Sequence, residues 1–369
     1  MVDGLKKSRL ILLALLALCL IASAARFATA PARADDYTAY TRRDLSLIFD
    51  TEITLKGYAK SQAEFDRAAD EALALLREYD HVFDGYNAYP GLHNLYYLNL
   101  HAAEGPVEVP EQLFQLISWC KEQWNAGYRT VNIAMGAVLS IWHEYRDAGN
   151  ADPAHAQLPP MEELRAAAEH VNFDDVILDA DKRTVYFADP LLKLDIGAVG
   201  KGWAADRVAP YLYENMPSFI LNLGGNVYTG EKPLDGRENW AVAVQDPKAD
   251  ETTLLLGGAQ YMDILDVKNL TVVTSGDYWR YYTVDGVRYH HIIDPETLLP
   301  SRQMLSVTIV CQSSALADYL STTLFILPYE AGCALVEEME GVEALWMLPD
   351  GTIRATPGMA AYSRLLDHE

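Results

Sequence analysis

The sequence predicts a mixed α/β to α+β fold built as one catalytic unit. Strand-like segments outnumber helical ones, and the two kinds are interleaved along the chain. No Ser/Pro/Gly-rich hinge and no short-period repeat divides it. The 369 residues are 50% hydrophobic and 10% aromatic, enough to bury a substantial core and far from a disordered composition.

The first segment reads as an export signal. Lys6, Lys7 and Arg9 precede an apolar run from Leu10 to Ala25, and Ala32-Arg33-Ala34 supplies an A-x-A cleavage pattern. That run is short of the ~20 residues a spanning helix needs. Cleavage near Ala34 and retention as an uncleaved membrane anchor both stay open. Either way the body is expected to be exported, outside the cytoplasmic membrane.

Residues 35–44 are polar and read as a loose lead-in. Leu45–Ala59 alternates and is β-branched, so it reads as a strand. Ser61–Tyr79 has helical spacing and an acidic first turn. Asp84–Asn99 holds Gly85, Pro90 and Gly91 and reads as an ordered loop. Pro110–Asn125 reads as a helix with Pro in its first turn. Val131–Arg146 begins small and apolar and becomes an amphipathic helix, and Asp147–Pro160 reads as an exposed linker. A short helix over Glu162–His170 precedes two strands that end by Asp189, with turn residues Asp179–Lys182 between them. Leu194–Tyr213 passes from an Asp-Ile-Gly loop into a helix. Strands with Gly turns follow from Phe219, and the last third reads strand, loop, helix, strand.

The formal net charge is −23, and removal of residues 1–34 makes the remainder more acidic still. Such a surface repels polyanions, so nucleic acid is excluded as a partner. An anionic small ligand would need a local metal or backbone-dipole site. The cysteines left after cleavage, Cys120, Cys311 and Cys333, form no disulfide framework and no C-x-x-C pair.

Several groupings could carry chemistry. Asp318 and Thr322 are i and i+4 on a helix with Ser321 beside them, a hard-oxygen set suited to Mg²⁺. A Thr bonded back to its own helix is the alternative. Asp195-Ile-Gly-Ala-Val-Gly-Lys201-Gly202 opens a helix whose free N–H groups could meet phosphate, though a tight strand-to-helix turn explains it as well. Asn222-Leu-Gly224-Gly225-Asn226 is either a cradle of N–H donors or a plain β-turn. His290 and His291 stand before Asp294-Pro295. Adjacent strand residues face opposite ways, so at most one histidine is expected to enter a site. Tyr278, Trp279, Tyr281 and Tyr282 could stack on a flat ring or fill the core.

Taken in order, FDTEITLKGYA, FDGYNAYPGLHNLYYLN, VNIAMGAVLSIW, DIGAVGKGWAAD, NLGGNV, AVQDP, TSGDYWRYY, HHIIDPETLLP, SVTIV and ALADYLSTTLF resemble the ApbE family of FAD:protein FMN transferases. The resemblance covers roughly residues 45 to 355, which places a catalytic domain at 45–360. It implies an enzyme that takes FAD as substrate with Mg²⁺, passes FMN to a threonine hydroxyl of an acceptor flavoprotein, and releases AMP. By motif, the Mg²⁺ ligands would be Asp318, Thr322 and the Ala198 carbonyl, with Ser321 as a fourth. His291 would act as or position the base, with Asp294 sharing that role. Flavin contacts carried over are Asp195, Lys201, Ile292 and the segment Thr130, Val131, Asn132, joined by Phe49 and Tyr86. Asn222, Gly224, Gly225, Thr274, Ser275 and Gly276 would line the same cavity. Acceptors implied by the family are Rnf-type or sodium-pumping NADH:quinone reductase subunits, and a fumarate-reductase-like secreted flavoprotein fits as well. The chain departs from the family at Leu298, where many relatives have Gly, which puts the D-P-x-T turn in question. Phe49 stands where Met is frequent. Two other readings remain: a FAD pyrophosphatase using water as acceptor, and a non-enzymatic flavin-binding protein.

Overall fold

Strand β1 (Thr38–Asp44) pairs antiparallel with β2 (Ile53–Ala59), Thr38 opposite Ala59. These are the first elements of a computed structural model that describes residues 36–216, 218–249, 260–278 and 280–366. The readings made for residues 1–34 and for Trp279 lie outside the described residues. Thr38–Glu369 groups as one compact unit, apart from Met1–Tyr37. Among the described residues no helix is long and apolar enough to cross a membrane.

Segment 38–44 is therefore a sheet strand, which corrects the loose lead-in. Its polar side chains suit an edge position, where one face stays wet. The strand expected over Leu45–Ala59 is interrupted by a tight turn at Ile48–Asp50. Helix α1 (Gln62–Phe83) starts at Ser61, whose side chain accepts from the Glu64 N–H, and runs four residues past its expected end. Helices α2 (Leu95–His101) and α3 (Glu111–Asn125) follow, with β3 (Val107–Glu108) between them. Helix α4 (Gly136–Ala151) and α5 (Met161–Ala167) come next. The segment between them is no free linker. The Gln157 carbonyl accepts from the Tyr282 hydroxyl at 3.1 Å, and Gly149 packs where a Cβ would lie 2.6 Å from the Tyr282 ring. Strands β4 (Val176–Asp179) and β5 (Thr184–Phe187) pair with each other, and β5 pairs with β3.

Helix α6 (Gly200–Asn215) leads to β6 (Phe219–Leu223) and β7 (Asn226–Thr229). A separate pair, β8 (Trp240–Gln245) and β9 (Tyr261–Val267), precedes β10 (Thr271–Gly276). The hairpin β11 (Tyr281–Val284) and β12 (Val287–His290) then leads to β13 (Ser306–Cys311). Helices α7 (Ser314–Ile326) and α8 (Tyr329–Glu337) and strands β14 (Glu343–Met347) and β15 (Ile353–Ala355) finish the chain. The main sheet has the order β1-β2-β6-β7-β10-β13-β14-β15, every neighbour antiparallel.

Both faces of this sheet are covered, which is why its strands are apolar runs more than alternating ones. Val273, Ile309, Ala344 and Trp346 pack with Leu320 and Leu324 of α7, and Leu55, Leu221 and Leu223 pack with α1 and α6. On the opposite face Val272, Val310 and Leu345 meet Val242, Val244 and Leu265 of the β8–β9 pair. Tyr282 is core, sharing a cluster with Met135, Trp142 and Leu298, whereas Tyr281 is 39% exposed.

Candidate active site

The site is organised by two helix starts that touch. Gly202, in the first turn of α6, lies against α7 so closely that a Cβ there would overlap the Ser314 carbonyl oxygen. Only glycine permits that approach. One turn later Asp206 caps α7: its carboxylate accepts from the N–H groups of Ser314 (2.8 Å) and Ala315 (3.0 Å) and from the Ser313 hydroxyl (2.8 Å). The exchange is mutual, since the Gly202 N–H donates to Asp318 Oδ2 at 2.8 Å. Burial pushes the Asp206 carboxyl up, against the pull of those three donors.

That hydrogen bond has a second effect. A regular helix would close the Gly202 N–H on the Ala198 carbonyl. Here the Trp203 N–H meets Val199 and the Gly200 N–H meets Ile196, while Gly202 turns to Asp318. Among the described residues the Ala198 carbonyl then has no backbone partner, and the buried Asp318 has one carboxylate oxygen with no hydrogen bond. Thr322, half-buried, makes no side-chain hydrogen bond among the described residues, whereas Ser321 donates to the Asp318 carbonyl at 2.9 Å and pairs with Ser275 at 2.8 Å. A carboxylate, a carbonyl and a hydroxyl are the donor set a hard divalent cation takes, so these residues fit Mg²⁺.

Tyr319, next to Asp318, faces the other way and donates its hydroxyl to the carbonyls of Tyr128 (2.6 Å) and Val131 (3.2 Å). Helix α7 thus holds the Thr130–Asn132 segment. Asn132 works locally, its Oδ1 accepting from Ala134 N–H (2.9 Å) and its Nδ2 donating to the Val171 carbonyl (2.7 Å).

The sheet supplies a second wall. Gly224 and Gly225, with φ of 59° and 100°, make the two-residue turn between β6 and β7. Positive φ at both central residues is the type I′ geometry that matches strand twist. A side chain at Gly224 would overlap Thr51 Oγ1. Asn222 Oδ1 accepts from Gly225 N–H at 3.3 Å, and the Gly225 carbonyl accepts from Thr274 N–H at 3.0 Å. Thr274 pairs its hydroxyl with Thr308 at 2.9 Å. Gly276 packs under the Tyr278 ring.

The histidines diverge as the strand alternation requires. His290 turns inward, its Nε2 donating to the Ser301 carbonyl at 2.8 Å and its Nδ1 accepting from Ile292 N–H at 3.2 Å. Burial brings it down to about 4. His291 is half-buried, with Nδ1 shut from solvent and unpartnered among the described residues. Burial, then Arg280, His290, Lys201 and Arg146, hold it well below the ordinary histidine value, so its ring is neutral. Asp294 spends Oδ1 on its own turn, accepting from Glu296 N–H at 2.8 Å. That turn survives the loss of glycine. Leu298 adopts φ 61°, its N–H donates to the Asp294 carbonyl (2.8 Å), and its carbonyl accepts from Trp142 Nε1 (2.9 Å).

The last wall is a set of loops. Asp84 Oδ1 accepts from the N–H groups of Tyr86 (2.7 Å) and Asn87 (3.0 Å), which shapes the turn that carries Tyr86. The Tyr86 hydroxyl hydrogen-bonds His143 Nδ1 and lies 3.5 Å from Asp195 Oδ2. Asp195 Oδ1 accepts from Gly197 N–H at 2.8 Å. Opposite, Leu47, Phe49 and Asp50 have φ of 58°, 54° and 55°. Left-handed non-glycine residues cost about 1–2 kcal/mol each. They are held by Asp80, which accepts from Phe49 N–H (2.9 Å), and by Arg280, which donates to the Phe49 carbonyl (2.8 Å).

Sequence reasoning missed His143, Arg146 and Arg280, which surround Tyr86, Asp195 and His291 electrostatically. It also missed the roles of Gly202 and Asp206. The i, i+3 pair His143 and Arg146 stood in a segment read only for its amphipathic period.

These features define a mixed α/β protein whose paired helix starts carry the donor set of a divalent cation. The ApbE family profile matches residues 49–346. The chain is 33% identical over 343 residues to the FAD:protein FMN transferase of Treponema pallidum (strain Nichols), covering 89% of this chain and 90% of that one. It is 30% identical over 305 residues to a FAD:protein FMN transferase of Klebsiella pneumoniae (strain 342), covering 82% and 87%. The crystal structure of the ApbE protein from Thermotoga maritima MSB8 superposes with a TM-score of 0.73 at 26% identity, covering 89% of this chain and 100% of that one. The flavin transferase ApbE from Vibrio cholerae shares the fold, with a TM-score of 0.70 at 22% identity over 88% and 99%. The chain belongs to the ApbE family.

Proposed function

We propose that the chain is an exported, Mg²⁺-dependent FAD:protein FMN transferase that attaches FMN to a threonine hydroxyl of a partner flavoprotein and releases AMP. In that reaction the threonine Oγ forms a bond to the phosphorus of the FMN moiety. The P–O bond to AMP breaks, and the threonine proton passes to a base. Support comes from family membership, the relatives' names and one observation in the site. Among the described residues, the Ala198 carbonyl, one Asp318 oxygen and the Thr322 hydroxyl have no hydrogen-bond partner where α6 crosses α7.

Asp318, Thr322 and Ala198 would hold Mg²⁺, and the ion would supply positive charge against a diphosphate. Lys201 and Arg280 put positive charge near His291 in a protein whose net charge is −23, which favours a diphosphate locally. His291, half-buried and held neutral, would take the threonine proton. The strained Leu47–Asp50 turn and the Tyr86 loop flank the space for the flavin.

The reading is tested by AMP release from FAD with and without Mg²⁺, in the wild type and in Asp318→Ala. The variant is expected to keep its fold and lose turnover. Unchanged turnover would remove the metal assignment. Export is tested by fractionation and by the mass of the mature N-terminus, which begins at Asp35 if the leader is cleaved.

A further inference from the structure

His143 has no part in the reaction as set out above, yet it touches a residue that does. It lies on α4, and that helix is locked to the Asp195 loop. Gly136 N–H donates to the Lys193 carbonyl at 3.0 Å, and Asp195 N–H donates to the Ile133 carbonyl at 2.7 Å. A Cβ at Gly136 would come within 2.6 Å of the Lys193 oxygen, so the helix start and the loop are in direct backbone contact. His143 and Asp195 are therefore carried on one rigid platform. Between them sits the Tyr86 hydroxyl, hydrogen-bonded to His143 Nδ1 and 3.5 Å from Asp195 Oδ2. The two rings lean together with centroids 5.3 Å apart and planes at 32°.

The side-chain chemistry is consistent with a tether. Burial lowers the imidazole and raises the phenol, so both are neutral near neutral pH and share one proton in the contact between the hydroxyl and Nδ1. The Tyr86 hydroxyl makes these two contacts while the residue as a whole is 56% exposed. A tyrosine anchored by its tip and open along its body is arranged to offer a ring face.

We propose that His143 is a positioning residue for FAD: it pins the Tyr86 hydroxyl beside Asp195, so that the tyrosine ring forms a fixed platform for the isoalloxazine. This rests on the flavin-transferase reading. His143 acts through Tyr86 and does not itself touch the flavin. Pre-fixing the ring removes a rotamer cost that would otherwise be paid on binding.

The test is a double-mutant cycle on the full chain stripped of flavin, with His143→Ala, Tyr86→Phe and the double variant. FAD affinity is read by titration, ring stacking by quenching of flavin fluorescence, and steady-state kinetics separate KM from kcat. Tyr86→Phe keeps the ring and removes only the tether. Each single variant is expected to weaken FAD binding about five- to tenfold, the loss of one neutral hydrogen bond. The double variant is expected to lose no more than either single one, with weaker quenching and a raised KM, while His143→Ala alone keeps kcat within about twofold of wild type. Additive losses, or unchanged quenching and affinity in His143→Ala, would overturn the role of His143 alone. Wild-type protein that binds no FAD would overturn the flavin reading and this inference together.

Discussion

Leu298 shows how a single residue other than glycine can hold a left-handed turn position. Its left-handed backbone costs about 1–2 kcal/mol. Its side chain is 8% exposed in the cluster with Trp142 and Ile293, worth about 2 kcal/mol. Leu298→Ala keeps the strain and loses the packing, whereas Leu298→Gly loses the packing and relieves the strain. Chemical denaturation is expected to rank alanine as the less stable of the two, and the reverse order would show that the turn is not held this way. His290 gives a pH prediction of the same kind. Its folded value, about 4, lies below its unfolded value near 6.5, so the unfolded chain binds the proton more readily. The stability this contributes is present above pH 6.5 and lost as pH falls toward 4, an effect on the order of 3 kcal/mol. His291 adds to the loss with the same sign. A melting temperature that stays level from pH 7 to pH 4.5 would refute it, and His290→Asn is expected to flatten the slope.

At the scale of elements, the contact between α6 and α7 is the feature on which the rest depends. Asp206 holds the start of α7, and α7 returns the carboxylate of Asp318 to Gly202. Asp206→Ala removes a half-buried cap, and a loss of about 2 kcal/mol is expected in denaturant titration. Gly202→Ala forces the helix starts apart, so it is expected to weaken Mg²⁺ binding measured by calorimetry. Wild-type Mg²⁺ affinity in Gly202→Ala would contradict the coupling. The i, i+4 spacing of Asp318 and Thr322 was legible because one helix carries both. The Gly202–Ser314 approach was not, since no pattern in either segment reports which helix it will cross. Segment 38–44 was misread for a related reason: its polar residues report solvent on one face, and only β2 shows that the backbone is paired. The linker after α4 was misread because Ala, Asp and Pro hide the Tyr282 contact that fastens it.

Over the whole molecule, the mixed architecture followed from the interleaving of strand and helix patterns. The order of the sheet did not follow, because β7–β10 and β10–β13 join segments separated by the β8–β9 and β11–β12 pairs. The predicted site residues Asp195, Lys201, His291 and Tyr86 share one electrostatic neighbourhood, which Arg146 reaches from a helix read for its amphipathic period and Arg280 from within the TSGDYWRYY segment. With a net charge of −23, the grouping of Lys201, Arg146 and Arg280 around His291 is a local concentration of positive charge on an acidic chain. The central claim is the transfer itself, and one measurement addresses it. The chain from residue 35 is incubated with FAD, Mg²⁺ and a flavoprotein segment bearing a central threonine, then the acceptor's intact mass and released AMP are read. The account predicts that the acceptor gains one FMN for each AMP released, and that Thr→Ala in the acceptor abolishes the gain. FAD bound but unchanged, or AMP and free FMN beside unmodified acceptor, would contradict it.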